Sequence, residues 1–453
     1  MKHEKLQQIP IITTDELARN IGNPKVKIID VRPIEAYNGW KLENEARGGH
    51  IQGARSLPFK WIDYIDWIEI VQTKKIKPEH AIIVYGYDKT HIETVAHQFK
   101  KAGYPHVKIY PYFLNEWTSN KTLPMDKLER YGQLVSADWL HELITTGNAL
   151  EYTNTPFVLC HAHYQNKNDY EKDHIPKAIE LDTNLLEAKE TWNRRTPAEL
   201  KKTLEQHGIR YDTTVILYGR FSYPENKDPF PGSSAGHLGA IRCAFIMMYA
   251  GVKDVRILNG GLQSWIDAGY QTTTKAYEKQ SVNDFGTTIP VHPEIAVDTT
   301  QAKEILKGTD KNLISVRSWK EYIGEVSGYH YIEKKGRIPG SVFGNCGSDA
   351  YHMENYRNLD HTTREFHEIE DMWKEVGITK EKHNSFYCGT GWRGSEAFFN
   401  AWLMGWEDIS VYDGGWFEWS KNENPYETGI PKKINKNTSY NTQKQLEGHG
   451  GKS

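Results

Sequence analysis

At 453 residues the chain is too long for one ordinary hydrophobic core, and a prior of roughly 150 residues per domain suggests about three domains. With 38% hydrophobic residues, 25% charged residues and a formal net charge of -3, it reads as globular, with no electrostatic reason to bind nucleic acid or an acidic membrane. No apolar run approaches the ~20 residues that span a bilayer, and residues 1–10 lack the apolar core of a secretory signal. The chain therefore reads as cytoplasmic, or periplasmic if a signal peptide has been removed.

Taken in order, one pattern recurs three times at a spacing of roughly 130 to 170 residues, which means tandem domains and not a solenoid. The first copy opens with the apolar strand Lys27-Ile28-Ile29-Asp30-Val31-Arg32 and the turn Gly49-His50-Ile51-Gln52-Gly53-Ala54. A buried strand ending at Tyr85-Gly86 follows, then a helix-period segment, a strand Lys108-Ile109-Tyr110 and an aromatic turn through Trp117. The second copy runs through Phe157-Val158-Leu159-Cys160-His161-Ala162, the turn Asp173-His174-Ile175-Pro176, the strand Val215-Ile216-Leu217-Tyr218-Gly219 and Gly260-Gly261 to Trp265. A Pro/Gly/Ser-rich insertion, Tyr223 to Ser234, interrupts its loop. The third runs through Leu313-Ile314-Ser315-Val316-Arg317, Gly336-Arg337-Ile338-Pro339 and Asn384-Ser385-Phe386-Tyr387-Cys388 to Gly414-Gly415 and Trp419. Apolar strands alternating with helical segments predict α/β domains, each a parallel sheet flanked by helices, with ligands at the carboxyl ends of the strands. The predicted domains are residues 1–130, 131–285 and 286–432, followed by a polar, disordered tail over 433–453.

Only the third copy carries a thiol where its loop begins; Gly86 and Gly219 occupy that register in the first two, which read as scaffold or docking domains. In the third, Cys388 is followed by Gly389, Thr390, Gly391, Trp392, Arg393, Gly394 and Ser395, in the order strand, tight loop, helix. Amides converging in such a loop, with the positive end of the helix dipole, stabilise an anion, and a thiolate is one. Cys388 is thus the candidate nucleophile, with Arg393 on the loop rim to hold an anionic substrate. Thr390 is a candidate hydroxyl donor and Ser395 a candidate helix cap. A buried structural cysteine is the competing reading of the loop alone.

The pattern resembles the rhodanese family, and the loop from Cys388 to Arg393 is similar to the active-site loop of thiosulfate sulfurtransferases. Three repeats with the thiol only in the last resemble bacterial three-domain members. The resemblance implies that Cys388 takes a sulfane sulfur from thiosulfate as a persulfide and yields it to cyanide or a thiol acceptor. The amides of Gly389, Thr390, Gly391, Trp392 and Arg393 would cradle the charge, with Gly394 and Ser395 completing the binding segment. Phosphatases of this fold have one more residue between cysteine and arginine, so the spacing here favours sulfur over phosphoryl transfer. Alternatives are 3-mercaptopyruvate as donor, and a persulfide-carrying or protein-binding module that docks a partner through repeats one and two.

By the same resemblance, Arg317 braces the active-site face. Glu321 stands where mercaptopyruvate-specific relatives carry an arginine, so its carboxylate is expected to repel a 2-oxo acid. Arg337 and Lys320 are alternative cations. Cys346 is a candidate resolving thiol, Cys243 reads as core, and residues 348–358 could shape the acceptor pocket or form a plain surface loop. Cys160, His161 and His163 read as packing and not a metal cluster. No cofactor and no metal are expected; the partners expected are a small sulfur-containing anion, a thiophilic acceptor, and a protein acceptor as a further option.

Overall fold

The computed structural model describes residues 8–153, 155–222 and 233–431. Most of the Tyr223–Ser234 insertion and the tail predicted over 433–453 lie outside the described residues. The chain divides into two compact units, residues 1–132 and 133–453, the second containing repeats two and three.

In the first unit the strands are β1 (Val26–Asp30), β2 (His50–Ile51), β3 (Arg55–Ser56), β4 (Ala81–Tyr85), β5 (Val107–Tyr110) and β6 (Met125–Asp126). A parallel sheet has the order β3-β1-β4-β5, and β2 pairs antiparallel with β6. Period-2 alternation sorts its apolar residues: Ile29, Ile82, Val84 and Ile109 enter one core, whereas Ile28, Ile83, Tyr85 and Tyr110 enter the other. The helix Lys89–Lys101 buries Ile92, Val95, Ala96 and Phe99, one stripe at helical spacing, and Asp88 caps its amides.

The second unit holds two five-stranded parallel sheets. In repeat two, β7 (Leu134–Val135), β8 (Phe157–His163), β9 (Ile179–Asp182), β10 (Thr214–Tyr218) and β11 (Asp254–Leu258) take the order β7-β11-β10-β8-β9. In repeat three, β12 (Ala296–Val297), β13 (Lys311–Ser315), β14 (Val342–Phe343), β15 (His383–Tyr387) and β16 (Ile409–Tyr412) repeat it as β12-β16-β15-β13-β14. The first unit reduces the outermost strand of this plan to a single parallel bridge, Ile11 to Ile109.

Repeat two's helix Ala235–Ala250 is buried nearly all round, including Cys243. One side lies on its own sheet; the other meets the helix Trp392–Leu403 of repeat three, with Phe245 and Phe398 edge to face at 5.1 Å. A helix apolar on every face needs two partners, and the two repeats supply them. The loops in register with Cys388 are closed: a Cβ at Gly219 would lie 2.2 Å from the Gly236 carbonyl oxygen, and one at Gly86 2.7 Å from Val31. Among the described residues, no helix is long and apolar enough to cross a membrane.

Candidate active site

Strand β15 is interior to its sheet, between β13 and β16, and Cys388 leaves its carboxyl end. The next turn is made by Gly391, whose φ of +93° suits a residue without a Cβ, and Trp392 begins the helix. The Cys388 and Gly389 carbonyls are tied back by the amides of Trp416 (2.8 Å) and Phe417 (2.9 Å). The amides of Gly389, Thr390, Gly391, Trp392, Arg393 and Gly394 donate to no protein acceptor among the described residues. A run of unspent donors at a helix N-terminus, beside a cysteine, is a built anion cradle.

Two expectations for this loop need correction. Ser395 is not the helix cap, which is Gly391; one turn further in, the Ser395 hydroxyl donates to the Gly391 carbonyl at 2.8 Å. Arg393 is not on the rim. It is fully buried, and its two Nη groups donate to the two carboxylate oxygens of Glu321, each at 2.9 Å. Glu321 also receives Arg317 Nε at 3.3 Å and closes a capping box with Ser318. Burial opposes its ionisation, but Arg393 and Arg317 hold it down to about 2. Its charge is therefore neutralised inside the fold and is no repelling group at the mouth. Arg317 braces the loop beyond it through the carbonyls of Gly336 (2.6 Å) and Ser327 (3.3 Å). Arg337 is spent on Glu427 and the Gly429 carbonyl, whereas Lys320 is exposed.

Thr390 is buried, with no protein partner for its hydroxyl among the described residues. Cys346 is buried too; its sulfur accepts from Arg393 Nη1 at 3.3 Å and donates to the His352 carbonyl at 3.2 Å, and burial pushes the thiol up to about 12. Of residues 348–358, Tyr351 reaches the site, its ring edge-on to Tyr329, while Tyr356 is tied inward to the Gly344 carbonyl. Cys160, His161 and His163 do not converge: His163 pairs with Glu180 at 2.8 Å, and His161 packs between Tyr170 and Tyr218.

Sequence reading missed the walls. Tyr329 lies against the loop, where a Cβ on Gly389 would fall 2.2 Å from its ring, and it stacks on Tyr331. Burial raises both phenols and the neighbouring Cys388 adds to the rise, so they stay protonated. Tyr331 stacks on Trp192 of repeat two, and Tyr164 and Trp192 stand against Trp392. These rings are half-buried, so each keeps part of its surface exposed to solvent. The aromatic cluster Tyr329-His330-Tyr331 was the available signal. Repeat two's share had none, because the rings and charges it sends across are scattered along its sequence.

A doubly wound domain repeated three times, with one cysteine cradle at a strand's carboxyl end, defines a sulfurtransferase of the rhodanese type. The rhodanese-like domain model matches residues 13–120, 136–268 and 298–422, and the chain belongs to that family. It is 40% identical over 423 residues to thiosulfate sulfurtransferase YnjE of Escherichia coli (strain K12), covering 92% of each chain. It is 27% identical over 303 residues to the sulfur carrier protein TtuD of Thermus thermophilus, covering 63% of this chain and 93% of that one. Among solved structures it is similar to wild-type EanB, at 59% identity and a TM-score of 0.91, over 95% of this chain and 100% of that chain. EanB has also been solved with hercynine, with ergothioneine, and with a cysteine persulfide in a tetrahedral intermediate state with ergothioneine.

Proposed function

We propose that this sulfurtransferase takes a sulfane sulfur from thiosulfate onto Cys388 and passes it to the imidazole carbon of a betaine of the hercynine type. The observation that carries this reading is the half-buried aromatic wall of Tyr164, Trp192, Tyr331 and Trp392 beside the unspent amides of the Cys388 loop. Hercynine carries a trimethylammonium group, and aromatic faces are the usual receptor for such a cation. Cyanide or a small thiol would have no use for that wall. The tyrosine, threonine and second cysteine altered in EanB structures fall at the same spacings from its persulfide cysteine as Tyr329, Thr390 and Cys346 do from Cys388.

In the first half-reaction the Cys388 thiolate attacks the outer sulfur of thiosulfate. A Cys–S–S bond forms, and sulfite leaves with the electron pair of the broken S–S bond. The amides of Gly389 to Gly394 hold the resulting negative charge. Arg393 contributes its amide there, while its side chain braces the site through Glu321. In the second half-reaction the terminal sulfur bonds to the imidazole carbon that lies between the two ring nitrogens. The Cys388 sulfur leaves with the S–S electron pair, and the proton lost from carbon returns to it. Tyr329, held protonated against Gly389, is the group assigned to relay that proton.

The test is mass spectrometry of protein and products. Incubation with thiosulfate should add one sulfur atom to the wild type and none to Cys388→Ser, and added hercynine should gain that sulfur. If the sulfur is released only by cyanide, as thiocyanate, or by thiols, the acceptor assignment is wrong. The thiosulfate sulfurtransferase reading, which the name of the E. coli relative favours, would then stand.

A further inference from the structure

The loop of repeat two in register with Cys388 has no thiol and no room for one, yet this repeat grips the Cys388 loop from both ends. Arg242, in the middle of the helix Ala235–Ala250, is fully buried. Its Nε donates to Glu187 at 3.0 Å, and its Nη2 to Asp413 and to the Trp192 carbonyl. Glu187 in turn accepts from the indole Nε1 of Trp392, the first residue of the active-loop helix, at 2.9 Å. Asp413 also takes the backbone amide and Nη1 of Arg194, at 2.9 and 2.8 Å, and it opens the turn whose Trp416 and Phe417 amides tie back the Cys388 and Gly389 carbonyls. The remaining nitrogen, Arg242 Nη1, is buried without a partner and would lie 3.1 Å from a Cβ on Gly391.

We propose that Arg242 is a positioning residue for sulfur transfer at Cys388: it fixes both ends of the loop through Glu187 and Asp413, and it places a fixed positive charge under Gly391. A guanidinium with one free face, held in a water-excluded site, keeps its field directed at the cradle, where the transferred sulfur's charge develops. This gives Arg242 a part in the chemistry although it touches no substrate. The inference rests on Cys388 as the sulfur carrier.

The test uses the full chain at about pH 8, above the value of about 7 to which burial raises the Glu187 carboxyl, so that Glu187 is ionised. Sulfur uptake from saturating thiosulfate is followed by intact mass, Cys388 alkylation by iodoacetamide in parallel, and folding by circular dichroism. Arg242→Met should fold cooperatively, with both maximal rates down at least roughly tenfold. Arg242→Lys should recover a large part of each. Glu187→Gln keeps an acceptor for Trp392 but turns an amide donor toward Arg242 Nε, so one end of the loop loosens and both rates should fall, by less than in Arg242→Met. A folded Arg242→Met at wild-type rates overturns the proposal, as does a folded Arg242→Lys no faster than Arg242→Met, which would mark the network as packing alone. Should Arg242→Met not fold, Glu187→Gln decides, and wild-type rates in it overturn the proposal. A wild type that is alkylated but takes up no sulfur overturns the uptake reaction instead, and the alkylation rates still judge Arg242.

Discussion

Glu321 carries more of this site than its side chain's size suggests, because two buried guanidiniums, Arg393 and Arg317, depend on it for counter-charge. Removing one partner of a buried ion pair leaves an uncompensated charge and costs about 3–5 kcal/mol. Glu321→Gln should lower stability by that order in chemical denaturation, with sulfur uptake falling as the loop loosens. The linkage has a definite sign. The folded carboxyl sits near 2, below its ordinary 4.5, so its contribution is fully present above about pH 4.5 and is lost as pH falls toward 2. The Glu321→Gln protein should therefore show a flatter stability profile over that acid window than the wild type.

At the scale of the element, the strand, loop and helix from β15 through Trp392–Leu403 act as one piece. The loop has no slack: the Tyr329 ring closes the side of Gly389, and Arg242 and the Asp413 carbonyl close that of Gly391. In Gly389→Ala the new methyl would meet a Tyr329 ring carbon at 2.2 Å, so the ring or the loop must shift. Sulfur uptake should drop by roughly tenfold or more while the melting temperature changes by only a few degrees, since the sheet beneath is untouched. The corresponding loop of repeat two supplies the contrast. Gly219→Cys places a thiol in register but drives its Cβ to 2.2 Å from the Gly236 carbonyl oxygen. It should lower the melting temperature and add no second sulfur by intact mass.

Across the whole second unit, repeats two and three share a buried boundary that includes titratable groups. His237 of repeat two and His361 of repeat three both stack on Phe221. Burial lowers both, His361 to about 4, and Arg357 pushes them the same way. Both are neutral in the fold and would bind protons once unfolded, so stability present above about pH 6.5 should be lost as pH falls toward 4. Urea midpoints across that range should show the loss, and His361→Gln should reduce it.

The repeats, the parallel α/β architecture and the loop bearing Cys388 were legible in the sequence because each is written locally, as an apolar run, a glycine turn or a helix-period segment. The sequence by itself therefore determined the fold, the family and the candidate nucleophile. It misassigned Arg393 because a spacing places a residue on a helix but does not say which carboxylate, here Glu321 from a distant segment, will claim the side chain. Only the tertiary structure decided what surrounds Cys388. The packing of Ala235–Ala250 against Trp392–Leu403 brings Glu187, Trp192 and Arg242 to the cradle, and contacts between residues so far apart in the chain leave no periodicity to read.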